Sequence, residues 1–131
     1  MTSAPVTSND DVVRIRQLVR KAAIEARMSI VDQTKIVTAA SELARNAFVH
    51  GGGGTATVEL VSNAVGRAGV RLVFSDTGPG IPDIPLALTE GWTSGSGLGL
   101  GLSGTRRLVD EFDLATEVGE GTTVTVTKWA R

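Results

Sequence analysis

The chain has no cysteine among its 131 residues. That removes disulfides, thiolate chemistry and cysteine-rich zinc sites together, and it is compatible with a reducing compartment. Long apolar runs are missing as well: none approaches the ~20 consecutive apolar residues that a membrane-spanning helix needs. Nor does charge of one sign dominate. Thirteen Lys and Arg against fourteen Asp and Glu give a formal net charge of −1, so no whole-molecule nucleic-acid footprint is expected, only room for a local basic patch. The opening MTSAPVTSND has neither a basic n-region nor an apolar h-region. No secretion signal is expected, and the cytoplasm is the default location.

What is present reads as one globular domain. A 41% hydrophobic content and this length suffice for a single core. Residues 1–8 are small and polar and are expected to form a flexible N-terminal arm. From Asn9 the pattern changes to helical spacing, with Val12, Ile15, Val19 and Ala22 recurring and Arg14, Arg16, Arg20 and Lys21 between them. A second helix is expected from near Ser29 to about His50, with Asp32 as a capping-box-like signal. The run Gly51, Gly52, Gly53, Gly54 then stops it.

Residues 55–61 (TATVELV) and 70–76 (VRLVFSD) alternate and are rich in β-branched types, which predicts a hairpin across SNAVGRAG. PLALTEG reads as a short helix and residues 104–112 (GTRRLVDEF) as a better one. The closing LATEVGEGTTVTVTKW reads as two strands around GEG. This order predicts an α+β fold: a two-layer α/β sandwich with an antiparallel or mixed sheet and helices on one face.

Three stretches carry chemistry. The first is TSGSGLGLGL, residues 93–102. Gly99, Gly101 and Gly104 satisfy G-x-G-x-x-G, but no strand precedes them as a dinucleotide site requires. A Walker A loop fails because Thr105, not lysine, follows Gly104, and the companion motifs of eukaryotic-type protein kinases are absent. What survives is the shared physics: bare N–H groups at a glycine-rich turn entering a helix can cradle an anion. Leu98, Leu100 and Leu102 would let such a loop pack down over a ligand.

The second stretch is SELARNAFVH. Glu42, Asn46 and His50 are spaced by four, and each such step rises ~6 Å while rotating only ~40°, so all three share one helix face. Asn46 offers a neutral oxygen suited to Mg²⁺, which keeps waters beside phosphates, and Glu42 could accept a proton from an attacking hydroxyl. The third is SDTGPGI. Asp76 closes a strand and could accept from an exocyclic amine such as that of adenine, while Gly78 and Gly80 let a flat ring approach. Each stretch alone also fits a blander role, as a surface loop, a solvated helix face or an ordinary strand-end turn.

Together, and in this order, E-x-x-x-N, D-x-G-x-G and the glycine-rich lid resemble the GHKL ATP-binding superfamily with its Bergerat fold. SELARNAFVHGG, DTGPGIPDI and the segment from EGWTSGSGLGLGL through GEGTTVTVTKW look like the RsbT-type serine/threonine switch kinases, relatives of the anti-sigma factors RsbW and SpoIIAB. The resemblance runs from Asp10 to Trp129 and makes residues 9–131 a single ATP-binding kinase domain with a four- or five-stranded sheet. It implies ATP and Mg²⁺ as ligands, with Asn46 on the metal and Glu42 as general base. Asp76 would read adenine, beside Gly78 and Gly80 and supported by Thr122. Gly97, Gly99 and Gly101, with Leu98 and Leu100 between them, would form the phosphate lid.

His50 is expected to serve as a helix-end residue meeting the dipole. Arg45, Arg106 and Arg107 could contact phosphate or an acidic partner, though solvated surface is the favoured reading; Trp92 reads as a partner anchor or hinge, and Ser103 as a departure where many relatives have proline. The implied function is a stress-response or sigma-factor switch kinase. It would phosphorylate a STAS-domain antagonist and act toward a phosphatase of PP2C type; no nucleic-acid or membrane partner is expected. The alternative is a binding module that sequesters a sigma factor with ATP as ligand. A histidine-kinase ATP domain fits less well.

Overall fold

Thr2–Val6 forms a strand, β1, in a computed structural model of the chain, which describes residues 1–49, 52–76, 101–117 and 121–131. The expected arm is therefore corrected. Strand β1 pairs antiparallel with Gly54–Ser62, β2, from Thr2 opposite Val58 to Val6 opposite Gly54. The cause is a short two-residue alternation: Ala4 and Val6 point inward at 4% and 0% exposure, while Thr2, Ser3 and Pro5 face solvent. Pro5 is tolerated because β1 lies at an edge, where a missing N–H interrupts no ladder.

Helix α1, Asn9–Glu25, starts at Ser8, whose Oγ accepts from the Asp11 N–H at 3.2 Å. Asp11 reaches back in turn, its Oδ2 accepting from the N–H and the hydroxyl of Thr7, both at 2.8 Å. These two bonds, the backbone one foremost, hold the Asp11 carboxyl below its ordinary pKa. The helix ends with Arg27 at φ 63 and Met28 N–H donating to the Ala23 carbonyl at 3.0 Å, a left-handed cap built without glycine.

Helix α2, Ile30–Val49, takes Ser29 as its cap: Ser29 Oγ accepts from the Asp32 N–H at 3.1 Å. Asp32 does not complete a capping box. Its carboxylate turns instead to Lys128 Nζ, 3.6 Å away, with the two side chains 14% and 6% exposed. Ala39, Ala40, Ala44 and Ala47 are buried along α2, and such small side chains let a helix sit close to its neighbours.

Ala68–Asp76 is β3, Glu111–Glu117 is β4 and Gly121–Trp129 is β5, in sheet order β1-β2-β3-β5-β4. All four described pairings are antiparallel, so the mixed alternative does not hold among the described strands. Helix α3 is Gly101–Arg107 rather than residues 104–112. The Asp110 N–H donates to the Thr127 carbonyl at 3.0 Å, which draws the chain into the sheet, so Glu111 and Phe112 already belong to β4.

Ala56, Val58, Val70, Leu72, Phe74, Val124 and Val126 line the inner sheet face against Ile15, Val19, Ile36 and Leu43 of the helices, in one core. That is the two-layer sandwich expected. At the far end of β5 the Trp129 N–H donates to Asp110 Oδ2 at 2.8 Å and its indole N–H to Glu111 Oε2 at 2.7 Å. The ring lies so close to Gly69 that a Cβ there would meet it at 2.7 Å. No described helix is long and apolar enough to cross a membrane.

Candidate functional site

One row of the sheet gathers the polar end of the inner face. Asp76 pairs with Gly54 on one side and Thr122 on the other, and Thr122 pairs with Thr116. Directly opposed residues in a sheet share a face. Asp76 has the parity of buried Leu72 and Phe74, and Thr122 that of Val124 and Val126, so the row Gly54–Asp76–Thr122–Thr116 faces the helix layer where the apolar lining stops. Asp76, Thr122 and Thr116 are all half-buried. The hydroxyls of Thr116 and Thr122 lie 3.0 Å apart, and Thr116 Oγ1 donates to the Gly121 carbonyl at 3.1 Å.

Gly54 belongs to this row for a steric reason. A Cβ built on it would lie 2.0 Å from the Ser75 carbonyl oxygen and 3.1 Å from Asp76 Cα. The glycine run thus does more than end a helix: its last member lets β2 close on β3 where Asp76 stands. Just before it, the Gly53 N–H donates to the Ala47 carbonyl at 2.8 Å, tying the C-terminal turn of α2 to the same end of the sheet.

Asn46 precedes Ala47 and is half-buried, as is Glu42. Two contacts fix the rotation of α2. Arg20 Nη1 of α1 donates to Gln33 Oε1 at 3.3 Å, and Asp32 meets Lys128 of β5. At ~100° per residue, Asn46 lies about 40° and Glu42 about 80° around the helix from Asp32, in the direction away from Gln33. Both therefore turn to the flank opposite α1. Helix α3 contacts α2, and there Leu102 and Thr105 are buried at 7% and 0% exposure.

The structure accordingly places Glu42 and Asn46 on one flank of α2, the end of that helix beside the Asp76–Thr122 row, and Asp76 opposite Thr122. Gly101, expected in the lid, opens α3. Arg106 and Arg107 are exposed at the end of α3, and Arg45 is half-buried. His50, Gly78, Gly80, Trp92, Gly97, Leu98, Gly99 and Leu100, with the short helix expected over PLALTEG, lie outside the described residues. In the sequence Gly54 reads only as part of a helix-stopping run, and Thr116 belongs to no motif. A signal for Thr116 existed: it and Thr122 are equidistant from Gly119, so a hairpin centred there must pair them.

Among the described residues no group of three or more His, Cys, Asp or Glu side chains is arranged to hold a metal.

The chain is similar to known proteins in sequence and in fold. The chain is 45% identical over 121 residues to serine/threonine-protein kinase RsbT of Bacillus subtilis, covering 92% of this chain and 90% of that protein. It is 30% identical over 128 residues to the anti-sigma F factor of Geobacillus kaustophilus, covering 93% and 85% respectively. Among solved structures, the RsbU and RsbW domains of a Mycobacterium tuberculosis protein match with a TM-score of 0.64 at 22% identity. That match covers 100% of this chain and 33% of the other, and at such identity the likeness is one of fold. The family model for the histidine kinase-, DNA gyrase B-, and HSP90-like ATPases matches residues 31–131, most of the chain, and the chain belongs to that family.

Proposed function

We propose that this chain is a serine/threonine-protein kinase of a bacterial partner-switching system, transferring the γ-phosphoryl of ATP to a hydroxyl of a STAS-domain antagonist protein. The observation that supports the reading is that the Gly53–Ala47 bond ties the end of α2, which carries Asn46, beside Gly54 and so beside Asp76 opposite Thr122, in a chain 45% identical to a serine/threonine kinase. Asp76 would accept from the adenine amine, with Thr122 beside it. Gly78 and Gly80 would lie along the ring, and Gly97 to Gly101 would cover the phosphates. Asn46 would hold Mg²⁺, which when bound neutralises phosphate charge. Glu42 would orient or deprotonate the acceptor hydroxyl. Phosphoryl transfer asks for little else than positioning and charge compensation. A phosphatase is the proposed downstream partner, and the cytoplasm the proposed location.

The test is direct. The chain is incubated with Mg²⁺, γ-labelled ATP and a STAS protein from the same genome, and the label should move to a serine or threonine of that protein. Glu42→Ala should abolish transfer while leaving nucleotide affinity near the original. Unchanged turnover in that variant would remove Glu42 from its role, and no transfer to any STAS protein would overturn the substrate assignment. A second reading, sequestration of a sigma factor with ATP as a conformational ligand, draws on the 30% identity to an anti-sigma F factor. Capture of a purified sigma factor, without STAS phosphorylation, would favour it.

A further inference from the structure

We propose that the tip of the α1–α2 hairpin is a docking surface for another protein, and that it receives an acidic amphipathic helix of that partner. Eight large apolar side chains are exposed among the described residues, and three of them fall within residues 24–31: Ile24 at 56%, Ile30 at 76% and Val31 at 63% exposure. Scattered single cases need no explanation, whereas a cluster does. The cluster is also contiguous in space. The Arg20–Gln33 hydrogen bond of 3.3 Å marks where the two antiparallel helices touch. Ile24 lies one turn on from Arg20 and Ile30 one turn back from Gln33, so the two stand on either side of the same seam. Val31 follows about 100° further round α2, away from α1.

The exposed charge around this cluster is mostly of one sign. Lys21 lies one turn before Ile24, Lys35 one turn after Val31, and Arg27 sits in the connection between the helices; these three and Arg20 are all exposed. Of the two carboxylates in residues 20–35, Asp32 is turned inward to Lys128, and Glu25 stands about 100° round α1 from Ile24. Arg27 holds a left-handed conformation, φ 63, where glycine is the unstrained choice. Yet its guanidinium makes no hydrogen bond or ion pair among the described residues. A residue that breaks a local rule with no polar contact in return points to a use outside the fold. Ile30 and Val31 likewise occupy the first turn of α2, where the macrodipole favours acidic side chains and no burial calls for apolar ones.

An apolar centre with a cationic rim selects an apolar stripe flanked by Asp and Glu, presented by a helix lying along the seam. A second copy of the chain does not fit, because an isologous contact would set the same four cations against one another. Nor does a bilayer surface fit as well, since residues 20–35 contain no Trp, Tyr or Phe to sit at a headgroup boundary. Ile30 is sixteen residues from Asn46, about 24 Å along α2, so a helix docked at the tip leaves the Asp76–Thr122 row open.

The experiment is an NMR titration of the amide signals of the full chain with two synthetic amphipathic helical peptides. Both carry leucine along the stripe, and they differ in having glutamate or lysine elsewhere. The glutamate peptide should shift the amides of residues 20–35 and leave those of Asp76 and Thr122 in place. The lysine peptide should bind at least about tenfold more weakly, and added salt should weaken the glutamate peptide. Val31→Asp, at an exposed first-turn position that tolerates a carboxylate, should keep the melting temperature and lose about tenfold in affinity for the glutamate peptide. Arg27→Gly should lose about threefold while the protein becomes more stable, a trade that a purely structural arginine does not show. No binding of the glutamate peptide, equal binding of both peptides, or shifts centred away from residues 20–35 would overturn the proposal. So would uptake of the chain by phosphatidylglycerol vesicles with no response to the glutamate peptide, which would make the tip a membrane contact.

Discussion

Breaking the buried ion pair between Lys128 and Asp32 should cost more stability than any surface change, and replacing both partners should restore most of the loss. Lys128 sits on the inner face of β5, opposite Val70, with its side chain 6% exposed and 3.6 Å from an Asp32 oxygen. At that distance the direct attraction is about 4–5 kcal/mol for an effective dielectric of 20, and the desolvation of two ions opposes it. Removing the carboxylate with Asp32→Leu strands an ammonium among apolar groups and should cost about 3–5 kcal/mol. Lys128→Met should cost less, about 2–3 kcal/mol, because Asp32 keeps 14% exposure and stands in the first turn of α2, where the helix dipole favours it. The double variant should recover to within about 1 kcal/mol of the original, since a matched apolar pair replaces a buried charge pair at little net loss. Urea denaturation of the four proteins gives the coupling free energy, expected to exceed about 2 kcal/mol. Asp32 and Asn46 are fourteen residues apart in sequence, about 21 Å along the helix, so nucleotide affinity of the double variant should stay near the original. Single variants that each lose less than about 1 kcal/mol and add independently would refute the claim that this pair is an energetically coupled, desolvated contact.

Three further outcomes follow from other parts of the fold. Arg27→Gly should stabilise the protein by about 0.5–1 kcal/mol, because arginine at φ 63 bears a left-handed strain that glycine escapes; a lower urea midpoint would contradict this. Gly54→Ala should destabilise by about 1–3 kcal/mol and impair nucleotide binding, since its Cβ would meet the Ser75 carbonyl oxygen at 2.0 Å and force β2 away from β3 at Asp76; a variant with native melting and affinity would show that the strands accommodate it. Asp11 links the end of β1 to α1 through Thr7, and its carboxyl pKa is lowered by those bonds. The folded value lies below the unfolded one, so its contribution is fully present above about pH 4 and disappears as pH falls through the folded pKa. Asp11→Asn should therefore flatten the acid limb of the stability profile, and an unaltered limb would remove Asp11 as a source.

The helices and the central strands were legible because their periods are long. Val12, Ile15, Val19 and Ala22 mark α1 over several turns, and β3 alternates through Val70, Leu72 and Phe74, each buried. Strand β1 escaped because Ala4 and Val6 make only one step of alternation among residues that also suit a loose arm. The boundary of α3 was misplaced for a different reason. GTRRLVDEF has helical spacing, but backbone pairing of Asp110 with Thr127 outweighs that local preference. Lys128 also broke the rule that charges stay outside, and its partner lies ninety-six positions earlier in the sequence, where no local pattern announces it.

The candidate site divides along the same line between local and long-range information. Glu42 and Asn46 share a flank by helical arithmetic, so one segment suffices to join them. Asp76 and Thr122 face each other because of register, and register is a property of two strands together. The family resemblance implies that pair, whereas in the sequence Gly54 reads only as the last member of a helix-stopping run and Thr116 carries no motif. Their place in the row arises from what lies across the ladder: a Ser75 carbonyl too near Gly54 for any side chain, and a Thr122 hydroxyl 3.0 Å from that of Thr116. The Gly54–Asp76–Thr122–Thr116 row thus stands on four paired backbones, while Glu42 and Asn46, the groups proposed for chemistry, stand on a single helix. Asp76→Asn should consequently weaken ATP binding, whereas Glu42→Ala should leave binding near the original and abolish phosphoryl transfer from bound ATP; the opposite pattern would refute this division of roles.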